Sequence, residues 1–297
     1  MYVSKHIIYI LQRFNCICLY VCSCTCTCTC TYTLHRQLFV SALMCELERE
    51  NIRFPDMTND EFGVHGSNYY RIRGVGREVK LVFKQHNELR AHHLENMRTF
   101  TKFFLESPAL STMSEGGGGG GHDGVMIVLQ AGTWYFSATL YRQHVERVFA
   151  EAFDLAEKYA QQRKHITFVW AEQVTQHWPT DNGYFLTGKG VSRASLCTPL
   201  INMTESADWR NDIVWQSFLR DGSGWRRRLD SLAPYARVRV LNFRALTSDM
   251  SDFHMRQQKK DCTHYCYTPM MYQSIYHQLA QISADLAAEV ASSRKEK

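Results

Sequence analysis

The sequence predicts a doubly wound α/β/α domain with a mostly parallel sheet. Three observations carry that expectation. Residues 125–129 (Val-Met-Ile-Val-Leu) and 166–170 (Ile-Thr-Phe-Val-Trp) are short, nearly continuous apolar runs, the pattern of parallel strands covered on both faces. Between them lies a long amphipathic stretch, residues 137–161, whose Val145, Val148, Phe149, Phe153, Leu155, Ala156 and Tyr159 form one apolar stripe at helical spacing. Residues able to do chemistry gather directly after the strands and in the last loop, where open α/β sheets place their ligands.

Taken in order, residues 1–33 differ from the rest. Residues 7–21 are fairly apolar, but Gln12, Arg13 and Asn15 interrupt them, which makes a poor membrane span or signal core. Cys24 to Thr31 then alternates Cys and Thr strictly. We read this as a short nucleotide repeat translated from non-coding sequence, so that the domain begins at Leu34. Sequencing the mature transcript across these codons tests the reading, and finding them there would overturn it. Leu38, Phe39, Ala42, Leu43 and Leu47 have helical spacing. Residues 68–83 are β-rich and suggest a hairpin about Gly74-Val75-Gly76, followed by polar helical sequence to Leu105. The glycine run 116–121 lacks the Lys and Ser/Thr of a phosphate loop and reads as a flexible surface insertion. Residues 192–228 read as an excursion outside the core, 238–243 as the final strand, and Pro269 opens a helix to about Ala291, with a polar tail at 292–297.

A chain of 297 residues with 45% hydrophobic content has enough apolar side chains for one α/β domain. The net charge of +5 is modest and the only basic run is Arg226-Arg227-Arg228, a solvated or ion-paired surface that gives no nucleic-acid face. Of 11 cysteines, seven fall between Cys16 and Cys30, leaving Cys45, Cys197, Cys262 and Cys266 in the body of the chain. Four such cysteines suit two disulfides in an oxidising compartment, with the pairing open. Asn202-Met203-Thr204 is an N-glycosylation sequon consistent with that compartment.

The motif with most chemical content is Asp261-Cys262-Thr263-His264-Tyr265-Cys266. Asp and His three residues apart fall on one side of a helical turn. A carboxylate there can accept from imidazole Nδ1–H and leave Nε2 free to take a hydroxyl proton, which is two-thirds of a hydrolase triad. The flanking cysteines can pin the loop. The same Cys-x-His-x-Cys could serve zinc, but ligands at alternate positions strain a tetrahedral site and the chain offers no second ligand pair at recognisable spacing.

With the following Tyr267-Thr268-Pro269 and an aromatic-rich helix, this motif resembles the C-terminal signature of the PC-esterase family, GDSL/SGNH-like proteins that include plant trichome-birefringence-like polysaccharide O-acetyltransferases. Leu34-His35-Arg36-Gln37, Gln130-Ala131-Gly132-Thr133-Trp134 and Thr175-Gln176-His177-Trp178 are similar to three further blocks of that family. The resemblance covers residues from about 34 to the C-terminal helix, and it implies an SGNH-like three-layer fold. It also implies acyl, and in particular acetyl, ester transfer or hydrolysis on a glycan, through a covalent acyl-enzyme and without a separate cofactor or metal. His264 would be general base and then acid, and Asp261 would orient it. Thr33 holds the nucleophile position where the family has serine after Gly-Asp. The Gln130 amide, where the family has asparagine, and the Gly132 region would hold the oxyanion. His177, Arg36 and Trp134 would line the substrate pocket. A polysaccharide or glycan acceptor, an acetyl donor and a place in the secretory pathway, in the Golgi or outside the cell, follow from the same resemblance. A membrane anchor would lie at the N-terminus. Because Gly-Asp-Ser is missing, the alternative is a catalytically inactive glycan-binding protein on the same fold.

Overall fold

The computed structural model describes residues 7–11, 58–59, 67–74, 77–84, 98, 102, 124–132, 135, 137–178, 180, 197–199, 209–254, 262, 265 and 269–295. The expected helix over 34–47, the glycine run at 116–121, and Thr33, Arg36, Cys45, Trp134, Asn202, Asp261, His264 and Cys266 lie outside the described residues.

The strands are β1 (Ile7–Leu11), β2 (Thr58–Asn59), β3 (Ser67–Gly74), β4 (Arg77–Lys84), β5 (Gly124–Leu129), β6 (His165–Ala171) and β7 (Ala236–Leu241). They form one sheet in the order β2-β3-β4-β1-β5-β6-β7. Every pair from β4 through β1, β5 and β6 to β7 is parallel; β2, β3 and β4 meander antiparallel on one edge. Gly74 pairs with Arg77, so β3 and β4 form a tight hairpin where the sequence suggests one. β1 lies within residues 1–33, which the sequence sets apart from the domain, yet it occupies a central place between β4 and β5. Its Ile-Ile-Tyr-Ile-Leu sequence has the apolar, β-branched character that such a slot demands.

The long helix α1 (Ala138–Gln161) returns the chain from β5 to β6. Ser137 caps it by accepting from the Leu140 amide at 3.3 Å. Its buried stripe meets Val125, Ile127, Leu129, Ile166, Phe168 and Trp170 on one face of the sheet. Glu151, buried in that stripe, is paired with Arg98, which offsets the cost of burying a carboxylate. On the same face are α2 (Trp209–Val214), which continues as a π-helical turn over Trp215–Leu219, and α3 (Gly224–Asp230).

The expectation that residues 192–228 form an excursion outside the core is corrected for 209–228. Ile213, Val214, Phe218 and Leu219 are core residues, and Phe218 stacks on Phe149 with ring centroids 4.4 Å apart. Trp209 and Trp225 pack against this core, whereas Trp215 is 49% exposed. The basic run is tied to the surface: Arg226 bonds Asp230 at 3.0 Å, and the Arg228 guanidinium lies 3.6 Å from the Phe153 ring centroid.

α4 (Phe243–Thr247) is a short turn after β7, and α5 (Pro269–Lys295) covers the opposite face of the sheet. Gly124 permits its close approach, since a Cβ there would lie 3.2 Å from Val290 Cγ2. Arg237 of β7 pairs with Glu289 of α5 at 2.8 Å. The helix runs past Ala291 to Lys295, so most of the expected polar tail is helical. With helices on both faces of a largely parallel sheet, the chain has an α/β fold. Among the described residues, no helix is long and apolar enough to cross a membrane.

Candidate functional site

The five strands β4-β1-β5-β6-β7 follow the doubly wound pattern in which the chain leaves the first strand to one side and returns to the other. In such sheets the loops part at the carboxyl ends beside the first strand, which opens a crevice there. β5 delivers Gln130-Ala131-Gly132 to this edge, β6 delivers residues 172–178, and β7 delivers Asn242.

The turn after β5 is held rigidly. Tyr141 Oη donates to the Ala131 carbonyl at 3.0 Å, Tyr135 N to the Gly132 carbonyl at 2.9 Å, and Arg210 Nη2 to the Tyr135 carbonyl at 2.5 Å. Gly132 has φ +150°, a backbone conformation that favours glycine, and a Cβ there would lie 3.0 Å from Gln173 Oε1 and press on that side chain. Asn211 of α2 grips the backbone of Gln173 at two points: its Oδ1 accepts from Gln173 N at 2.8 Å, and its Nδ2 donates to Gln173 O at 3.0 Å.

Gln130 is buried, and its Nε2 donates to the Glu172 carbonyl at 2.9 Å. The carboxamide therefore ties the end of β5 to the end of β6 and leaves its oxygen as the atom without a hydrogen-bond partner. An oxyanion needs a donor at that place. The Gln130 amide, expected to hold an oxyanion, spends one of its two N–H donors on the Glu172 carbonyl just beyond the β6 ladder.

His177, expected to line the substrate pocket, is fully buried, and a knot of hydrogen bonds engages its polar atoms. Its Nε2 lies 2.8 Å from the Ser248 carbonyl and must carry the proton there. Its Nδ1 is then the acceptor, 2.6 Å from His254 Nε2 and 3.2 Å from Tyr265 Oη. Tyr265 Oη donates to the Thr175 carbonyl at 2.6 Å, with the Thr247 carbonyl 3.1 Å away. Burial drives the His177 pKa below its ordinary value; the Ser248 carbonyl and the Asp249 charge oppose the shift without cancelling it. Burial likewise pushes the Tyr265 phenol far up, so it stays a donor at any working pH.

This knot is the base of the loop that carries Asp261 and His264. His254 and Tyr265 form an antiparallel bridge that closes the loop. His177 N donates to the Cys262 carbonyl at 2.9 Å, and Thr198 N to the His177 carbonyl at 3.0 Å. Cys262 is joined to Cys197, one of the pairings the sequence leaves open, and the bond packs on Trp178. A disulfide-bonded Cys262 is not available as a thiolate ligand for zinc.

Replacing Cys197 and Cys262 together by serine is expected to cost about 2–4 kcal/mol, given the 65 residues the bond spans. It should also raise proteolytic cleavage between residues 254 and 265. Urea unfolding with limited proteolysis checks both, and unchanged cleavage would show that the bond does not hold the loop.

Sequence reasoning places Cys262 and the strand-end residues here but misses His254, Tyr265 and Asn211 as structural partners. His254 lies 77 residues from His177, a separation no spacing rule links. No protein-family model matches this chain, and no curated protein or solved structure matches it.

Proposed function

We propose that this chain is an SGNH-like protein that carries out acyl, most simply acetyl, ester transfer or hydrolysis on a glycan. The observation that carries the reading is the anchoring of the loop bearing Asp261 and His264. A disulfide, a backbone bridge and a buried tyrosine fix its ends at the carboxyl edge of a parallel sheet. A general base needs such a mount, because its rate advantage depends on placement to within a fraction of an ångström. The α/β fold supports the same reading, because the carboxyl ends of β5 and β6 bring Gln130 and residues 172–178 to one edge of the sheet, where such folds gather their chemistry. In the proposed reaction Asp261 orients His264, which takes the proton of an attacking hydroxyl at position Thr33; the donor's leaving group departs with that proton, and an acceptor hydroxyl or water, deprotonated by His264, then takes the acyl group from the ester and frees the Thr33 oxygen. The buried Cys197–Cys262 bond and the sequon at Asn202 favour a secretory location, in the Golgi or outside the cell.

The second reading, a glycan-binding protein without turnover, is favoured by one specific observation, the Gln130 amide turned into the sheet edge. An assay of the full chain with an acetylated oligosaccharide separates the two. Acetate release or transfer that saturates with substrate supports the enzyme. Saturable glycan binding with no acetate released supports the binding protein.

A further inference from the structure

Among the described residues three large apolar side chains face water: Leu140, Trp215 and Phe253. Leu140 and Trp215 belong to the helical layer over the sheet, Leu140 in the first turn of α1 and Trp215 at the head of the π turn. Phe253 stands beside the anchor of the proposed site. It ends the 3₁₀ turn Ser251–Phe253 between α4 and His254, and His254 is bridged to Tyr265, the residue after His264. The ring is 42% exposed although Ser251 and His254 are buried.

The turn is fixed on both sides of that ring. Phe253 N donates to the Met250 carbonyl at 3.1 Å, and Met250 N to the Thr247 carbonyl at 3.2 Å. The Ser248 carbonyl lies 2.8 Å from His177 Nε2, and the Thr247 carbonyl 3.1 Å from Tyr265 Oη. At its exposure the phenyl face contributes little to folding, yet the backbone beneath it is held in one place. A ring on such a mount presents apolar area to a ligand without first having to be ordered. Its faces carry the negative part of the aromatic quadrupole, which attracts weakly positive C–H bonds. Two carboxylates share this segment, Asp249 and Asp252, both exposed. An ionised carboxylate only accepts hydrogen bonds. A flat apolar face beside acceptors matches a pyranose, which has a face of C–H bonds and a rim of hydroxyl donors.

Resting on the glycan reading above, we propose that Phe253 is the stacking platform for one pyranose ring of the glycan, with Asp249 and Asp252 accepting from that ring's hydroxyl groups. A glycan-binding protein without turnover would use the same platform as the enzyme.

Calorimetric titration of the full chain with short oligomers of glucose, mannose and xylose tests the platform. The parent should bind at least one of them saturably. Phe253→Ala should weaken that binding about 10-fold or more, and Phe253→Leu, which keeps apolar bulk without a ring face, should do the same. Phe253→Trp should keep it. Trp215→Ala, which removes an exposed ring on the π turn, should leave it unchanged. Because these side chains are exposed, the thermal midpoints of all four variants should stay close to that of the parent. If the parent binds none of the oligomers, the glycan reading fails and the platform with it. If the parent binds and Phe253→Ala or Phe253→Leu binds equally well, the platform alone is overturned. A loss in Phe253→Trp as large as in Phe253→Ala also overturns it, and so does an equal loss in Trp215→Ala, which is general apolar adhesion. The leucine variant decides the matter even if the alanine variant does not fold.

Discussion

On the proposed acyl-ester reading, replacing His264 by alanine in the full chain is expected to slow acetyl-ester turnover by about 10³-fold or more, the loss that follows when a general base is removed from a nucleophile–histidine–carboxylate set. Asp261→Asn should slow it by about 10²-fold to 10⁴-fold, because an amide stabilises the wrong imidazole tautomer while leaving the ring in place. Neither change touches the residues that fasten the loop, which are Cys262 and Tyr265 beside them in the sequence. Thermal midpoints of both variants should stay close to that of the parent, and glycan affinity should be kept. Measuring turnover and glycan binding on the same preparations checks this. Parental turnover in His264→Ala would remove the loop from the chemistry.

The second large effect is on stability. Phe149→Ala should cost about 3–5 kcal/mol, the range for emptying an aromatic position in a packed core. Phe149 is 5% exposed, stacks on Phe218 and meets Trp170 at 5.7 Å and Trp225 at 6.0 Å between ring centroids. These four rings join α1, the π turn, α3 and β6, so a void at their centre has no flexible neighbour to fill it. Leu140→Ala is the control: at 40% exposure it should stay within about 0.5 kcal/mol. Urea unfolding measures both, and a loss below about 1 kcal/mol for Phe149→Ala would contradict this account of the core.

What the sequence makes legible follows from how local its signals are. β5 and β6 are visible because parallel strands covered on both faces read as apolar runs, and α1 because its buried positions recur every three or four residues. The core role of residues 209–228 is hidden for a physical reason. The helix changes to π geometry at Trp215–Leu219, which breaks the 3.6-residue period just where Phe218 and Leu219 turn inward. The functional edge is legible in composition but not in orientation. Gln130 falls directly after β5, as expected, whereas His177 lies six residues past the end of β6. Whether a strand-end amide or imidazole faces a crevice or binds a neighbouring carbonyl depends on Glu172 and on Ser248, and no spacing rule reports those contacts. Tyr265 directly follows the Asp-x-x-His motif, yet its role as the bolt between the loop and the segment after β6 emerges only when the Thr175 carbonyl is placed beside it.

The acyl-ester reading is tested most directly by trapping the intermediate. The full chain is mixed with an activated acetyl ester, quenched in acid, and mapped by mass spectrometry of its peptides. The account predicts one acetyl group on a hydroxyl of the chain, at Thr33, absent from the His264→Ala protein. No acetylated hydroxyl, or the same adduct with and without His264, would contradict it.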